Sequence, residues 1–170
     1  MEGLREAIAL FLSNFLSAKG VTFVLAMLPV SELRGAMIYA ASPLGDVPLR
    51  EALPISLVGN LIPVLPILWA LGPVSRVGSR FSLGERFFNW VFERARRKSE
   101  KVKRFETFGL ALFVCIPLPV TGAWTGAAVA FVLGIKTRDA FLAITAGVML
   151  AGIIMSIVAY GSAALLRLIF

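Results

Sequence analysis

Three stretches of the chain run for more than twenty residues without a charged side chain. They are Ala52–Ser75 with 24 residues, Thr107–Ile135 with 29 and Ala140–Leu166 with 27. A fourth, Gly20–Gly45, has 26 residues and is interrupted only by Glu32 and Arg34. A straight helix needs about 20 apolar residues to cross a hydrocarbon core about 30 Å thick. A soluble domain of 170 residues has too little interior to hide four such runs. Composition agrees: 58% of the residues are hydrophobic and 16% charged, against about 45–50% and about 25% in soluble domains. The expected fold is an all-α integral membrane protein, multi-pass in the cytoplasmic membrane, forming one membrane domain over 1–170. A shorter helix over 1–18 precedes the four embedded regions. Its Glu2, Arg5 and Glu6 are unlike the positive region that opens a signal peptide.

The net charge of +7 has one source. Between Arg76 and Arg104 stand ten basic residues and three acidic ones, and the rest of the chain is neutral. Phe88, Val91, Phe92 and Ala95 recur at helical spacing within that segment, with Trp90 beside them. This predicts an amphipathic helix lying in the headgroup region, within a connection over 76–106. Positive charge of this kind stays on the cytoplasmic side. The partners it predicts are the bilayer and, at 76–104, anionic lipid headgroups; nucleic acid is not expected of so apolar a chain. The plainer reading of the same helix is a topology signal and anchor.

Several chemistries are disfavoured by inventory. Without histidine the chain lacks the usual general base and the commonest metal ligand. A single cysteine, Cys115, closes no internal disulfide. No glycine-rich phosphate loop is present. Neither an enzyme nor a cofactor nor a metal is expected.

Two of the apolar runs are broken by proline. Thr107–Ile135 would be about 43 Å long as one helix, but Pro117 and Pro119 stand in its middle, followed by Gly122. Proline removes a backbone donor and pushes the residue before it towards extended geometry. Gly20–Gly45 has the same form, with its break at Pro29. In each case the halves suit a re-entrant hairpin that enters and leaves on one side. The two regions also correspond in sequence: Pro29-Val30-Ser31 with Pro119-Val120-Thr121, Leu44-Gly45 with Leu133-Gly134, Arg50-Glu51-Ala52 with Arg138-Asp139-Ala140, and Gly59 with Gly147. The expected architecture is therefore two repeats of hairpin plus spanning helix, 20–73 and 107–166. Because a hairpin does not cross, the repeats are inverted, as in many secondary transporters. Were both runs full spans, the repeats would be parallel.

Glu32 and Arg34 are the sharpest candidates. Charge at membrane depth costs a few kcal/mol on insertion scales, roughly 2.5–3.5 per residue, and so faces a cavity or a partner. A carboxylate here can bind a proton or a cationic group, with Arg34 tuning it or binding an anion. The alternative is a pair that only locks the hairpin tip. On a regular helix residues two apart do not face each other, so direct pairing requires non-helical backbone. At the matching place in the second repeat stand Thr121 and Thr125, which offer hydroxyls, and Trp124, which offers an aromatic wall. Asn60, in Gly59-Asn60-Leu61-Ile62-Pro63, is expected to hydrogen-bond a hairpin tip, and Pro63 and Pro66 to kink its helix.

The run Pro29-Val30-Ser31-Glu32-Leu33-Arg34-Gly35-Ala36, with Gly59-Asn60 and Pro63, and the run Pro117-Leu118-Pro119-Val120-Thr121-Gly122-Ala123-Trp124-Thr125-Gly126 resemble the small multi-drug export protein family over about 20–166. The resemblance implies efflux. The architecture is also similar to that of the DedA proteins, whose wider group is associated with proton-dependent transport and lipid scrambling. In that resemblance Glu32 takes the acidic role of the first hairpin; the second hairpin carries no arginine, and Arg34 is the available substitute.

The sequence thus points to a small transporter of amphiphilic substrates, a lipophilic drug or a lipid, coupled to protons through Glu32. Its tips are expected to meet around Glu32, Arg34, Asn60 and Thr121. An uncoupled lipid scramblase or a membrane scaffold are the rival readings, and a homodimer is compatible with so small a unit.

Overall fold

The computed structural model describes residues 2–78, 100–117, 121–162 and 164, and no strand occurs among them. The helices are α1 (Glu2–Ser13), α2 (Ala18–Met27), α3 (Glu32–Ala41), α4 (Leu49–Leu61), α5 (Val64–Gly78), α6 (Glu100–Cys115), α7 (Ala123–Leu133) and α8 (Thr137–Met155); α8 continues into a π-helical turn, Ser156–Tyr160.

Among the described residues two helical stretches are long and apolar enough to cross a membrane: Leu49–Leu71 with 23 residues and Thr137–Tyr160 with 24. At about 1.5 Å per residue each reaches about 35 Å, enough for a core of about 30 Å. In contrast α2 and α3 have ten residues each and α7 has eleven, so each covers about half that depth. The break between α2 and α3 is where proline predicts it. Leu28 has φ −76° and ψ 137°, the extended geometry that a following proline imposes. The second break lies between Cys115 and Ala123; Pro119 falls outside the described residues.

The helix ends add detail to the bounds read in the sequence. The N-terminal helix ends at Ser13 rather than 18: the Ser13 hydroxyl turns back to the Leu10 carbonyl, and Ser17 opens α2 by accepting from the Gly20 N–H. α6 runs from Glu100 to Cys115 and so starts before the uncharged run at 107, because Glu, Lys and Arg are good helix formers and charge does not end a helix. Of the amphipathic connection, 76–78 close α5 and 100–104 open α6; 79–99 fall outside the described residues. Between α4 and α5 the helical run passes through a turn at Ile62–Pro63, with Ile62 still in helical geometry. Pro66 then sits in the first turn of α5, where a missing N–H forfeits no helical bond.

The chain divides into two compact units, one of Met1–Ile62 with Val148–Phe170 and one of Pro63–Gly147. The division does not follow the repeat boundaries, because the long last helix contributes to both. In the first unit α2, α3 and α4 pack on one another, and α1 lies on α2. Val21, Leu25, Ala26, Ala36 and Tyr39 form its core with Ala9 of α1, and Ile8, Leu12 and Leu28 pack against them. In the second unit α7 packs on both α5 and α6, over Leu110, Val114, Ala127, Ala130 and Ile144.

Each unit brings a spanning helix onto the first arm of a broken pair through a glycine. A Cβ on Gly59 of α4 would lie 2.8 Å from the Phe23 carbonyl oxygen and 2.9 Å from the Ala26 Cβ. One on Gly147 of α8 would lie 2.6 Å from the Ala111 carbonyl oxygen and 2.8 Å from the Val114 Cβ. Real Cβ atoms do not approach that closely, so both contacts require glycine. These are two of the positions that correspond in the sequence.

Candidate functional site

Among the described residues every buried polar or charged side chain belongs to the first unit: Thr22, Ser31, Glu32, Ser56 and Asn60. Two contacts fix their depth. Lys19 of α2 pairs with Glu51 of α4, and Phe23 and Ala26 of α2 meet Gly59 of α4. The two helices therefore run parallel, each α2 residue level with the α4 residue about 32 to 36 positions later. Asn60 is thus level with the end of α2 and the break that follows, where α3 starts. Ser56 lies one turn back along the same face of α4, level with Thr22 and Phe23.

Glu32 is the first residue of α3 and has φ +48°, a left-handed conformation that non-glycine residues rarely adopt. This supplies the non-helical backbone that a pairing with Arg34 requires. The Arg34 Nη2 stands 3.9 Å from the Glu32 Oε2, with the two side chains 16% and 7% exposed. That is an ion pair at its outer distance rather than a tight hydrogen bond. Before it, the Ser31 hydroxyl donates to the Leu25 carbonyl. Pro29 and Val30, at the tip, are exposed.

Asn60 departs from expectation. Its side chain is 2% exposed, yet its Oδ1 has no hydrogen-bond partner among the described residues. The Ser56 Oγ, fully buried, likewise has none. Ser56 was not legible as a candidate from its residue type, since an isolated serine in an apolar run is commonplace. Its signal is the spacing of four to Asn60 on the face that carries Gly59.

The second group of candidates belongs to the second unit. The Thr121 hydroxyl donates to the Ile116 carbonyl at 2.7 Å, a counterpart of the bond from Ser31. The Thr125 hydroxyl accepts from the Gly122 N–H at 2.9 Å and closes the first turn of α7. Both hydroxyls are thus engaged with backbone. Gly122 is buried in extended geometry ahead of α7, and Pro117 and Trp124 are half-buried. The structure pairs Glu32 with Arg34 at the start of α3 and buries Asn60 in α4 of the same unit, while Thr121, Gly122 and Thr125 lie at the start of α7 in the second.

Two stretches able to span, three short helices beside proline-marked breaks and a buried acid–base pair in an apolar body define a helical membrane protein. The chain belongs to the small multi-drug export protein family: the family described as "Putative small multi-drug export protein" matches residues 32–154, well over half of it. The match takes in every candidate from Glu32 to Thr125 and begins just after Pro29. By its family name the protein is a small multidrug exporter, a transporter. No curated protein and no solved structure matches the chain.

Proposed function

We propose that the protein exports an amphiphilic substrate, a lipophilic cation or a lipid, and that Glu32 couples this to protons. One observation carries the reading. A carboxylate that is 5% exposed is held at a chain break, in a conformation its residue type disfavours, and no other charged side chain is buried among the described residues. Such strain persists where the surrounding structure imposes it, and it gathers at working sites. Protonation removes the charge of Glu32 and frees Arg34 from it, and this is a change that a gradient can drive.

The architecture we infer is a pair of inverted repeats with re-entrant hairpins. It is supported by helices too short to cross, by the paired bonds of Ser31 and Thr121, and by the paired approaches of Gly59 and Gly147. The basic segment 76–104 lies on the cytoplasmic face against anionic lipid in this reading, and no enzymatic step is involved.

The test is flux of ethidium, a lipophilic cation, in proteoliposomes with and without a proton gradient. Native protein moves it faster with the gradient, and Glu32→Gln abolishes that acceleration. Equal flux from native and Glu32→Gln sinks the coupling role. Scrambling of fluorescent lipid that persists without any gradient assigns the protein to uncoupled lipid movement instead.

A further inference from the structure

The buried face of α4 consists of Ala52, Ser56, Gly59 and Asn60, and α4 packs on α2 and α3. On α8 the residues 88 positions later, Ala140, Ile144, Gly147 and Val148, are buried too. The same offset holds for the contacts. Gly59 meets Phe23 and Ala26 of α2, and Gly147 meets Ala111 and Val114 of α6, each 88 positions on. The two faces are thus built alike and differ in polarity. Ser56 stands where Ile144 does and Asn60 where Val148 does; on α2, Thr22 stands where Leu110 does on α6, and all six are buried.

The difference has an energetic sign. The Ser56 Oγ and the Asn60 Oδ1 have no hydrogen-bond partner among the described residues, in side chains 0% and 2% exposed. A buried polar atom without a partner raises the free energy of the packed state, and water supplies the missing bond when the packing parts. Ile144 and Val148 act the other way, because parting exposes their apolar surface and loses their contacts. The same glycine-centred packing is therefore poised to open on α4 and held shut on α8.

We propose that the packing of α4 on α2 and α3 is the joint that opens and closes during transport, admitting water to Ser56 and Asn60 when open, while the packing of α8 on α6 stays closed. This rests on the exporter reading above, since alternating access needs packed elements with two arrangements of similar energy. Ser56 and Asn60 are then positioning residues, which set the balance between the two arrangements.

The experiment has three readouts. Cys115 is the only cysteine, so Cys115→Ala gives a thiol-free background. In detergent, Ser56→Cys and Ile144→Cys are each placed in it and labelled with a methanethiosulfonate that carries a quaternary ammonium group, which reacts where water reaches the thiol. Ser56→Cys is labelled about tenfold faster than Ile144→Cys, and adding Asn60→Leu removes most of the difference. Equal rates overturn the proposal. The double variant Ser56→Ala with Asn60→Leu melts a few degrees higher than native protein, because its closed packing no longer holds unsatisfied atoms. A lower melting temperature overturns the proposal, since it means that a molecule inside the closed packing satisfies them. In proteoliposomes the same double variant slows ethidium flux about tenfold, with and without a proton gradient; unchanged flux removes the joint from transport. If native protein moves no ethidium, the exporter reading fails for that cation, and labelling and melting still decide whether the joint opens.

Discussion

The Ser31 hydroxyl donates to the carbonyl of Leu25, the acceptor that the N–H of residue 29 would serve if α2 continued. Residue 29 is proline and has no N–H. The side chain two positions later therefore replaces the backbone donor that the break removes. The Thr121 hydroxyl likewise donates to a carbonyl before the second break, that of Ile116, although the residue four positions after Ile116 is Val120 rather than proline. Ser31→Ala should cost about 1 kcal/mol, the net worth of one hydrogen bond, because the Leu28 N–H still reaches the Leu25 carbonyl. Thr121→Val, at a half-buried position, should cost less. Unfolding in mixed micelles by denaturing detergent measures both, and a Ser31→Ala protein as stable as native would deny the hydroxyl this role.

The strain at Glu32 predicts opposite effects on stability and activity. Glu32→Gln and Glu32→Gly both remove the carboxylate, so their difference isolates the backbone. Glycine adopts φ +48° without the steric cost that a side chain adds. Glu32→Gly should be more stable than Glu32→Gln by about 1 kcal/mol, while both lose gradient-driven transport. The same detergent titration reads the stability. Equal stability of the two variants would mean that the left-handed geometry stores nothing.

Gly59 and Gly147 predict a matched pair of defects. Gly59→Ala pushes α4 off α2, and Gly147→Ala pushes α8 off α6, because the added methyl lands within 3 Å of a backbone oxygen in each case. Overpacking of this kind costs about 1–3 kcal/mol. Gly109, in α6, has nothing within 4 Å of an added Cβ. Gly109→Ala should therefore be neutral or stabilising by up to about 1 kcal/mol, from helix propensity alone. Measuring the three together separates close approach from any general intolerance of alanine.

How far the sequence revealed this arrangement follows from what each feature depends on. The spans and the breaks depend on local chemistry, namely runs without charge and prolines 29 and 117, and both were legible. So was the correspondence of Gly59 with Gly147, since spacing survives in the chain. The left-handed turn at Glu32 was legible only as a condition, that pairing with Arg34 needs non-helical backbone. The start of α6 at Glu100 was hidden because hydropathy marks where a helix meets lipid, not where it begins. Ser56 was hidden because its burial is set by α2 and α3, elements distant in sequence. The hydroxyls of Thr121 and Thr125 read as ligands by type, yet the chain uses them to finish its own backbone.

Tyr160 supplies the last prediction. Its hydroxyl donates to the carbonyl of Val47 at 2.7 Å across 113 residues of sequence. It reaches that carbonyl from the end of the π-helical turn Ser156–Tyr160, where the wider winding shifts a side chain relative to a regular helix. Val47 lies in the connection between α3 and α4, where Asp46 has φ +44° and the Val47 N–H returns to the Ala40 carbonyl. The connection is thus held at one end by α3 and at the other by the last helix. Tyr160→Phe keeps the ring and removes the bond, so it should cost about 1 kcal/mol. The loss should be local: amide exchange at residues 44–47 should speed up about fivefold, the factor that about 1 kcal/mol implies, while exchange in α2 stays as in native protein. Uniformly faster exchange would make Tyr160 a general packing residue, and unchanged exchange at Val47 would remove its tie to the connection.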